Sequence, residues 1–236
     1  MNYIGSKHKL ASFLKTSIKD VVKEDLSQLI FCDLFAGTGI VGRNFKPFVK
    51  QVIANDVEFY SYVLNRNYIG NYTPITIKKE LDFLNNLEGV EGFIFQNYCE
   101  NGSEGRLYFS SENGKKIDAI RKQIELWKTT NTINNNTYYF LLASLIESAD
   151  KVANTASVYG AYLKKIKKSA QKNMVIEPAI FEITKNPHQV FNEDGNELIK
   201  KIKGDILYLD PPYNARQYGS NYHLLTTIAK YDLFKP

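Results

Sequence analysis

The chain has 236 residues, of which 44% are hydrophobic and 23% are charged; these are ordinary globular proportions and exclude wholesale disorder. Its net charge of +5 is too small to indicate a nucleic-acid partner by itself, and two cysteines without Cys-x-x-Cys spacing and three histidines favour neither a disulfide framework nor a zinc site. No segment has the length of a membrane span or the apolar core of a secretory signal, so we expect a cytoplasmic protein with no metal site and no membrane partner.

The first 70 residues alternate predicted strands and helices. Apolar side chains at helical spacing predict a helix over residues 6–24. Apolar runs over 29–33 and 51–55 predict buried strands, and the segments that follow them, after Gly37 and over 57–69, have helical patterns. This order is typical of a parallel sheet with helices on both faces.

Residues 72–187 depart from this alternation and are predicted to form an insertion. Helical patterns occupy the three stretches 77–88, 114–128 and 138–154. Residues 89–113 are rich in Gly, Asn and Ser, which predicts loops and short extended pieces.

The strand–helix order resumes after the insertion. Strands are predicted over 188–193 and 205–209, with a short helix between them and a further helix over 221–232. We therefore predict an α/β fold with two domains, which are a Rossmann-like domain from residues 1–71 and 188–236 and a largely helical insertion over 72–187.

The first predicted strand runs into a glycine turn, DLFAGTGIVG over 33–42. Ligands of doubly wound sheets bind beyond the carboxyl ends of the strands, and glycines there let a ligand approach the backbone closely. Gly37 and Gly39 begin a G-x-G-x-x-G spacing, but Asp33 and Phe35 lie where a phosphate loop would be small and neutral. A plain tight turn is the alternative.

The second predicted strand ends in Asp56. A carboxylate at this place suits the two ribose hydroxyls of an adenosine, although it could instead cap the following helix. The acidic Asp33 repels a pyrophosphate but attracts the cationic group of an amino acid. Together these features fit S-adenosylmethionine (SAM) better than NAD.

The last predicted strand ends in Asp210-Pro211-Pro212-Tyr213. The Asp210 carboxylate and the Pro211 carbonyl can both accept hydrogen bonds from one amino group, and the prolines leave that carbonyl little conformational freedom. Tyr213 can stack on a planar base, which contributes about 1–3 kcal/mol per base. The motif therefore predicts a clamp for the exocyclic amine of a base, with an ordinary Pro-Pro turn as the alternative.

With these motifs the chain resembles the SAM-dependent DNA adenine methyltransferases of the alpha group, which includes the Dam methylases. The resemblance rests on an ordered set of segments: NYIGSKHKL (2–10), DLFAGTG (33–39), AND (54–56), FNED (191–194) and DPPY (210–213). It implies a site-specific enzyme, of a restriction–modification or phage system, that methylates the 6-amino group of a flipped-out adenine in double-stranded DNA. Residues 72–187 would then be the target-recognition domain.

The resemblance also implies roles for individual residues. The SAM contacts would be Tyr3, Lys7, Asp33, Phe35, Ala36, Gly37, Thr38, Gly39, Asp56, Val57 and Asp194, with Glu193 as the alternative to Asp194. The catalytic residues would be Asp210, Pro211, Pro212 and Tyr213. The amine would attack the methyl group directly, so that neither a cysteine nor a metal is required.

Basic residues predict where DNA binds. The segment 164–172 contains five lysines, and Lys164, Lys165, Lys167 and Lys168 suit phosphates; a solvated helix face is the alternative. Arg216 and Tyr218, just after the clamp, are predicted to contact the flipped nucleotide's phosphate or to fill the gap in the duplex.

Few residues follow Tyr213, whereas the family continues with further strands and helices. We therefore expect the C-terminal part of the sheet to be missing, either because the chain is a fragment or because a second polypeptide completes it. The alternative functions are methylation of the cytosine 4-amino group, an RNA substrate, a silent fragment that binds DNA or SAM without turnover and, least favoured, a dehydrogenase.

Overall fold

The computed structural model describes residues 7, 10–23, 25–156, 158–211 and 218–231, and only the backbone of residues 218–220. The chain divides into two compact units. The first, called the sheet unit, comprises the described residues of Tyr3–Pro74 and Ile180–Asn214. The second, called the helical unit, comprises Ile75–Ala179 and the described residues of Ala215–Pro236. The helix near the C-terminus thus groups with the helical unit, whereas the predicted boundaries placed it with the sheet.

The sheet unit is built on four parallel strands, in the order β3-β2-β1-β4. They are β1 (Ile30–Asp33), β2 (Gln51–Asn55), β3 (Gln189–Phe191) and β4 (Ile206–Tyr208). The predicted α/β fold with a parallel sheet is confirmed, and each strand lies within a predicted one.

Along the sequence, helices precede, separate and follow these strands. In chain order they are α1 (Ala11–Val22), α2 (Ile40–Phe45), α3 (Phe59–Asn65), α4 (Lys78–Asn86), α5 (Phe93–Tyr98), α6 (Ser111–Thr129), α7 (Asn135–Val152), α8 (Gly195–Leu198) and α9 (Tyr218–Lys230). A π-helical turn, Arg66–Gly70, continues α3. Helix α5 lies in the stretch predicted to be loops, and that prediction is wrong.

The core of the sheet unit centres on Phe31 of β1, which is fully buried. Its ring stacks on Phe45 of α2 at 4.4 Å between centroids, and Tyr208 of β4 stacks at 6.2 Å. Helix α1 contributes Leu14 and Ile18 to the same cluster. This face of the sheet is therefore covered by α1 and α2, as a parallel sheet requires.

In the sheet unit, one buried lysine binds the segments through which the chain leaves and re-enters the unit. The Lys46 ammonium, after α2, donates to the carbonyls of Tyr68, Asn71 and Glu182 at 3.0, 2.5 and 2.8 Å. Burial lowers the pKa of Lys46 to about 8. Three acceptors match the three N–H donors of an ammonium, so the group is satisfied in its charged form.

In the helical unit, one buried carboxylate holds the first turn of the short helix α5. Asp118 of α6 is fully buried and accepts hydrogen bonds from the backbone amides of Gly92, Ile94 and Phe95, at 3.1, 2.9 and 2.8 Å. These amides form the first turn of α5, where N–H groups lack partners within the helix. The contact explains why a helix forms in a glycine- and asparagine-rich stretch.

Candidate active site

The glycine turn follows β1 directly. Gly37 and Gly39 have φ values of +53° and +78°, in the left-handed region that favours glycine. A Cβ added to Gly39 would lie 2.5 Å from Oδ1 of Asn65. The backbone conformation and the packing therefore both require glycine at position 39, the N-cap of α2.

Asp33, the last residue of β1, is a buried carboxylate with one unpaired oxygen. Its Oδ2 accepts from the Gly42 amide at 3.3 Å, whereas Oδ1 has no hydrogen-bond partner among the described residues. Burial is the main cause that raises the pKa of Asp33 to about 7, and the Asp56 and Asp210 carboxylates add to it. An unpaired buried oxygen is costly, so this atom fits a ligand that brings a donor or a positive charge.

Asp56, just beyond β2, fastens the glycine turn. Its carboxylate accepts from the amides of Gly37 and Glu58, at 2.7 and 2.9 Å. Burial raises its pKa to about 6, against the effect of these two amides. The N-cap position of α3 is occupied by Glu58, whose side chain makes no capping hydrogen bond. The alternative in which Asp56 is the N-cap is therefore wrong.

Two asparagines complete the framework, and the sequence predictions missed both roles. Asn65 Nδ2 donates to the carbonyls of Gly37 and Ser61, at 2.9 and 2.8 Å. Asn55 Nδ2 donates to the carbonyls of Leu34 and Glu193, and its Oδ1 accepts from the Glu193 amide. The signal available in the sequence was an amide side chain at the end of an otherwise apolar run.

Asp210 lies two residues beyond β4 and pairs with a residue from the N-terminal segment. Its Oδ2 is 2.6 Å from the Lys7 ammonium. Lys7 was predicted to contact SAM, and its position beside Asp210 is compatible with a site that contains both groups. Pro211, the next residue, is exposed.

The other predicted cofactor residues differ in how far they are exposed to solvent. Ala36 is buried, and its amide donates to the Asn55 carbonyl at 2.8 Å, whereas Phe35 and Thr38 are half-buried. Val57 is 71% exposed. Asp194 is exposed and caps α8 through the Asn196 amide at 2.7 Å.

Glu193, the alternative to Asp194, has its side chain in an ion pair with Lys201 at 2.9 Å. Its backbone is the part that contacts Asn55. Five predicted site residues lie outside the described part of the structure, Tyr218 through its side chain only: Tyr3, Pro212, Tyr213, Arg216 and Tyr218.

The predicted basic segment lies in the helical unit. Residues 159–174 form turns and irregular backbone, so the alternative of a solvated helix face is wrong. Lys164, Lys165 and Lys168 are exposed. Lys167 is partly buried, and its Nζ donates to the Thr155 carbonyl at 2.8 Å.

No group of three or more His, Cys, Asp or Glu side chains within the described ranges could hold a metal ion. Among the helices of those ranges, none is both long enough and apolar enough to span a bilayer.

Residues 3–235 match the family described as D12 class N6 adenine-specific DNA methyltransferase. The chain belongs to this family. The predicted family is thereby confirmed, and with it an enzyme family that methylates adenine in DNA rather than the cytosine amine. No solved structure gave a significant match.

Individual relatives agree with the family. The chain is 65% identical to the type II methyltransferase M.NlaIII of Neisseria lactamica, over all of this chain and 71% of the relative. It is 42% identical to M.FokI of Planomicrobium okeanokoites, over 98% of this chain and 37% of the relative. It is also 42% identical to M.CviAII of Paramecium bursaria Chlorella virus 1, over 97% and 68%. The chain therefore spans part of the length of each.

Proposed function

We propose that the chain transfers the methyl group of SAM to the 6-amino group of a flipped adenine in double-stranded DNA, in a restriction–modification or phage system. The supporting observation is that three carboxylates, those of Asp33, Asp56 and Asp210, lie at the edge of the sheet formed by the carboxyl ends of its strands. Asp33 is level with Ala54 of β2 and Tyr208 of β4. Asp56 and Asp210 each follow those partners by two residues, and both raise the pKa of Asp33.

The residues at this edge fit SAM, which would supply a methyl group activated on a sulfonium. The unpaired Oδ1 of Asp33 can accept from the amino group of the methionine part. Gly37 and Gly39 leave room for the ligand beside the backbone. Each Asp56 oxygen already accepts one amide but has a second lone pair for a ribose hydroxyl. Phe35, Thr38 and the exposed Val57 would contact the remainder of the cofactor.

Asp210 and the Pro211 carbonyl would orient the target amine. Each can accept one N–H of the amine, which directs the nitrogen lone pair toward the methyl group. As the nitrogen gains positive charge during transfer, the Asp210 carboxylate stabilises it electrostatically. Tyr213 would stack on the base. Flipping the adenine out of the duplex costs a few kcal/mol, which these contacts must offset.

The helical unit would bind the DNA, and the sheet unit the cofactor. Lys164, Lys165 and Lys168 are exposed in one short irregular segment, and their charges suit a phosphate backbone. We assign Lys167 to the same surface, although its ammonium also holds the Thr155 carbonyl. Arg216 and Tyr218 would contact the flipped nucleotide.

The test combines this chain with SAM carrying a labelled methyl group and unmethylated duplex DNA, followed by mass spectrometry of the nucleosides. Labelled N6-methyladenine is expected. Labelled N4-methylcytosine would overturn the assignment of the base. SAM binding in calorimetry without any methylated nucleoside would instead mean that this chain binds the cofactor but does not catalyse transfer alone.

A further inference from the structure

Lys7 and Asp210 form an ion pair between two distant parts of the sequence. The ammonium nitrogen lies 2.6 Å from Oδ2, and the side chains are 20% and 30% exposed. This degree of burial lets the pair interact more strongly than ion pairs on an open surface, which are worth little. The contact joins the segment before α1 to the proposed catalytic carboxylate.

The surroundings of Asp210 are acidic. Asp33, at the end of the neighbouring strand, is influenced by the charges of both Asp56 and Asp210. The pKa of Tyr208, two residues before Asp210, is raised mainly by burial. The charge of Asp210 adds to this rise, and the charge of Lys7 opposes it. Among the described residues, Lys7 is thus a cation that offsets the negative charge around Asp210, and Asp33 and Asp56 add to that charge.

The geometry leaves a place for the substrate. Lys7 contacts Oδ2 of Asp210, and a carboxylate can accept hydrogen bonds at both oxygens. An ammonium on one oxygen restricts rotation of the carboxylate and leaves the other oxygen to accept from the target amine.

We propose that Lys7 is a positioning residue for methyl transfer, which holds the Asp210 carboxylate oriented so that its second oxygen accepts the N–H of the target amine. The proposal rests on the function proposed above. It assigns Lys7 a role toward the catalytic carboxylate in addition to any contact with the cofactor.

The first test compares the rate of single-turnover methyl transfer, at saturating SAM and DNA, in the wild type, Lys7→Met and Lys7→Arg, with Lys19→Met as a matched loss of one exposed lysine on α1. We expect Lys7→Met to slow transfer about tenfold even when SAM and DNA are saturating, because a misplaced acceptor orients the bound amine poorly. Lys7→Arg should retain most of the rate, and Lys19→Met should behave as the wild type. An unchanged rate in Lys7→Met, or a rate in Lys7→Arg as low as that in Lys7→Met, would overturn the proposal.

The second test does not require an active chain. The carboxyl carbon of Asp210 is followed by ¹³C NMR at neutral pH and is assigned by its loss in Asp210→Asn. In Lys7→Met its resonance should move from the wild-type position, because no ammonium contacts Oδ2. An unmoved resonance together with lost SAM binding in calorimetry would make Lys7 a cofactor contact alone. Absence of methylation by the wild type, with a moved resonance, would count against the proposed function and not against the ion pair's role.

Discussion

The Asp56 carboxylate accepts a 2.7 Å hydrogen bond from the amide of Gly37, so the end of β2 determines the conformation of the turn that follows β1. The turn and the carboxylate are therefore a single structural unit. A change in either should alter the proposed cofactor site before it alters the fold.

Asp56→Asn tests this unit. The variant retains the side chain's size but loses its charge, and hydrogen bonds to a charged group contribute about 1.5–3 kcal/mol. We expect the affinity for S-adenosylhomocysteine, measured by calorimetry, to fall about 10- to 100-fold. Asp20→Asn, an exposed carboxylate on α1, provides the control. Equal affinities in both variants would exclude Asp56 from the site.

Gly39→Ala should destabilise the sheet unit. The substitution places a side chain at a φ of +78° and at 2.5 Å from Oδ1 of Asn65, and left-handed strain alone costs about 1–2 kcal/mol. Urea denaturation should therefore show a lower free energy of unfolding. In Gly39→Ala/Asn65→Ala the clash is removed and the strain stays, so partial recovery separates the two causes, after allowance for Asn65→Ala alone.

Asp210→Ala should nearly abolish methyl transfer and leave much of the SAM affinity. The residue is proposed to contact the amine, and loss of one group that stabilises developing charge typically slows a reaction about 10²–10³-fold. Single-turnover rates and calorimetry measure the two effects separately. Unchanged turnover in Asp210→Ala would contradict the proposed mechanism.

His188 predicts a pH dependence of stability. Its Nδ1 accepts from the Val52 amide at 3.0 Å, so its Nε2 bears the proton and donates to Thr184 Oγ1 at 2.9 Å. Burial, and then the charge of Lys46, lowers the pKa of His188 to about 4 from an ordinary value of 6.5.

Since the unfolded chain binds this proton between pH 6.5 and about 4 and the folded chain does not, the contribution is complete above pH 6.5 and is lost as the pH falls through this window. The loss is at most about 3 kcal/mol. Denaturation curves across the window should be steeper in pH for the wild type than for His188→Asn. Parallel curves would show that His188 does not titrate as inferred.

The triple variant Lys164→Ala/Lys165→Ala/Lys168→Ala should bind duplex DNA more weakly and with a smaller salt dependence. Each lost phosphate contact reduces the slope of log affinity against log salt by about 0.9. Replacement of three exposed lysines of the sheet unit, Lys19, Lys50 and Lys185, is the control. Equal slopes in the two variants would exclude the predicted surface.

The sequence predicted those parts of the fold that depend on local pattern. The strands β1 and β2 are apolar runs that end in polar side chains, and their periodicity suffices to find them. Helix α5 was missed because its first turn depends on Asp118, a residue about two dozen positions later in the chain. Tertiary contacts of this kind override local propensity.

The same distinction holds for the site. Asp33, Gly37 and Asp56 were predicted from motifs, and the structure brings them into hydrogen-bonded or electrostatic contact. The pairing of Lys7 with Asp210 was not predictable, because resemblance gave each residue a role but no spacing relates positions so far apart. The supporting contacts of Asn55 and Asn65 were missed for the same reason.

The contacts of Lys46 have a consequence for how such a protein can change. Its ammonium binds the carbonyl of Asn71 and that of Glu182, and the Thr184 amide also donates to the Tyr72 carbonyl. The outgoing and returning segments are thus clasped side by side within the sheet unit. An inserted domain whose two ends are already joined can be lengthened, shortened or exchanged at little entropic cost to its host. In the function proposed above, the inserted domain reads the DNA, so recombination at these two segments would change the sequence specificity while the methyl-transfer chemistry stays the same.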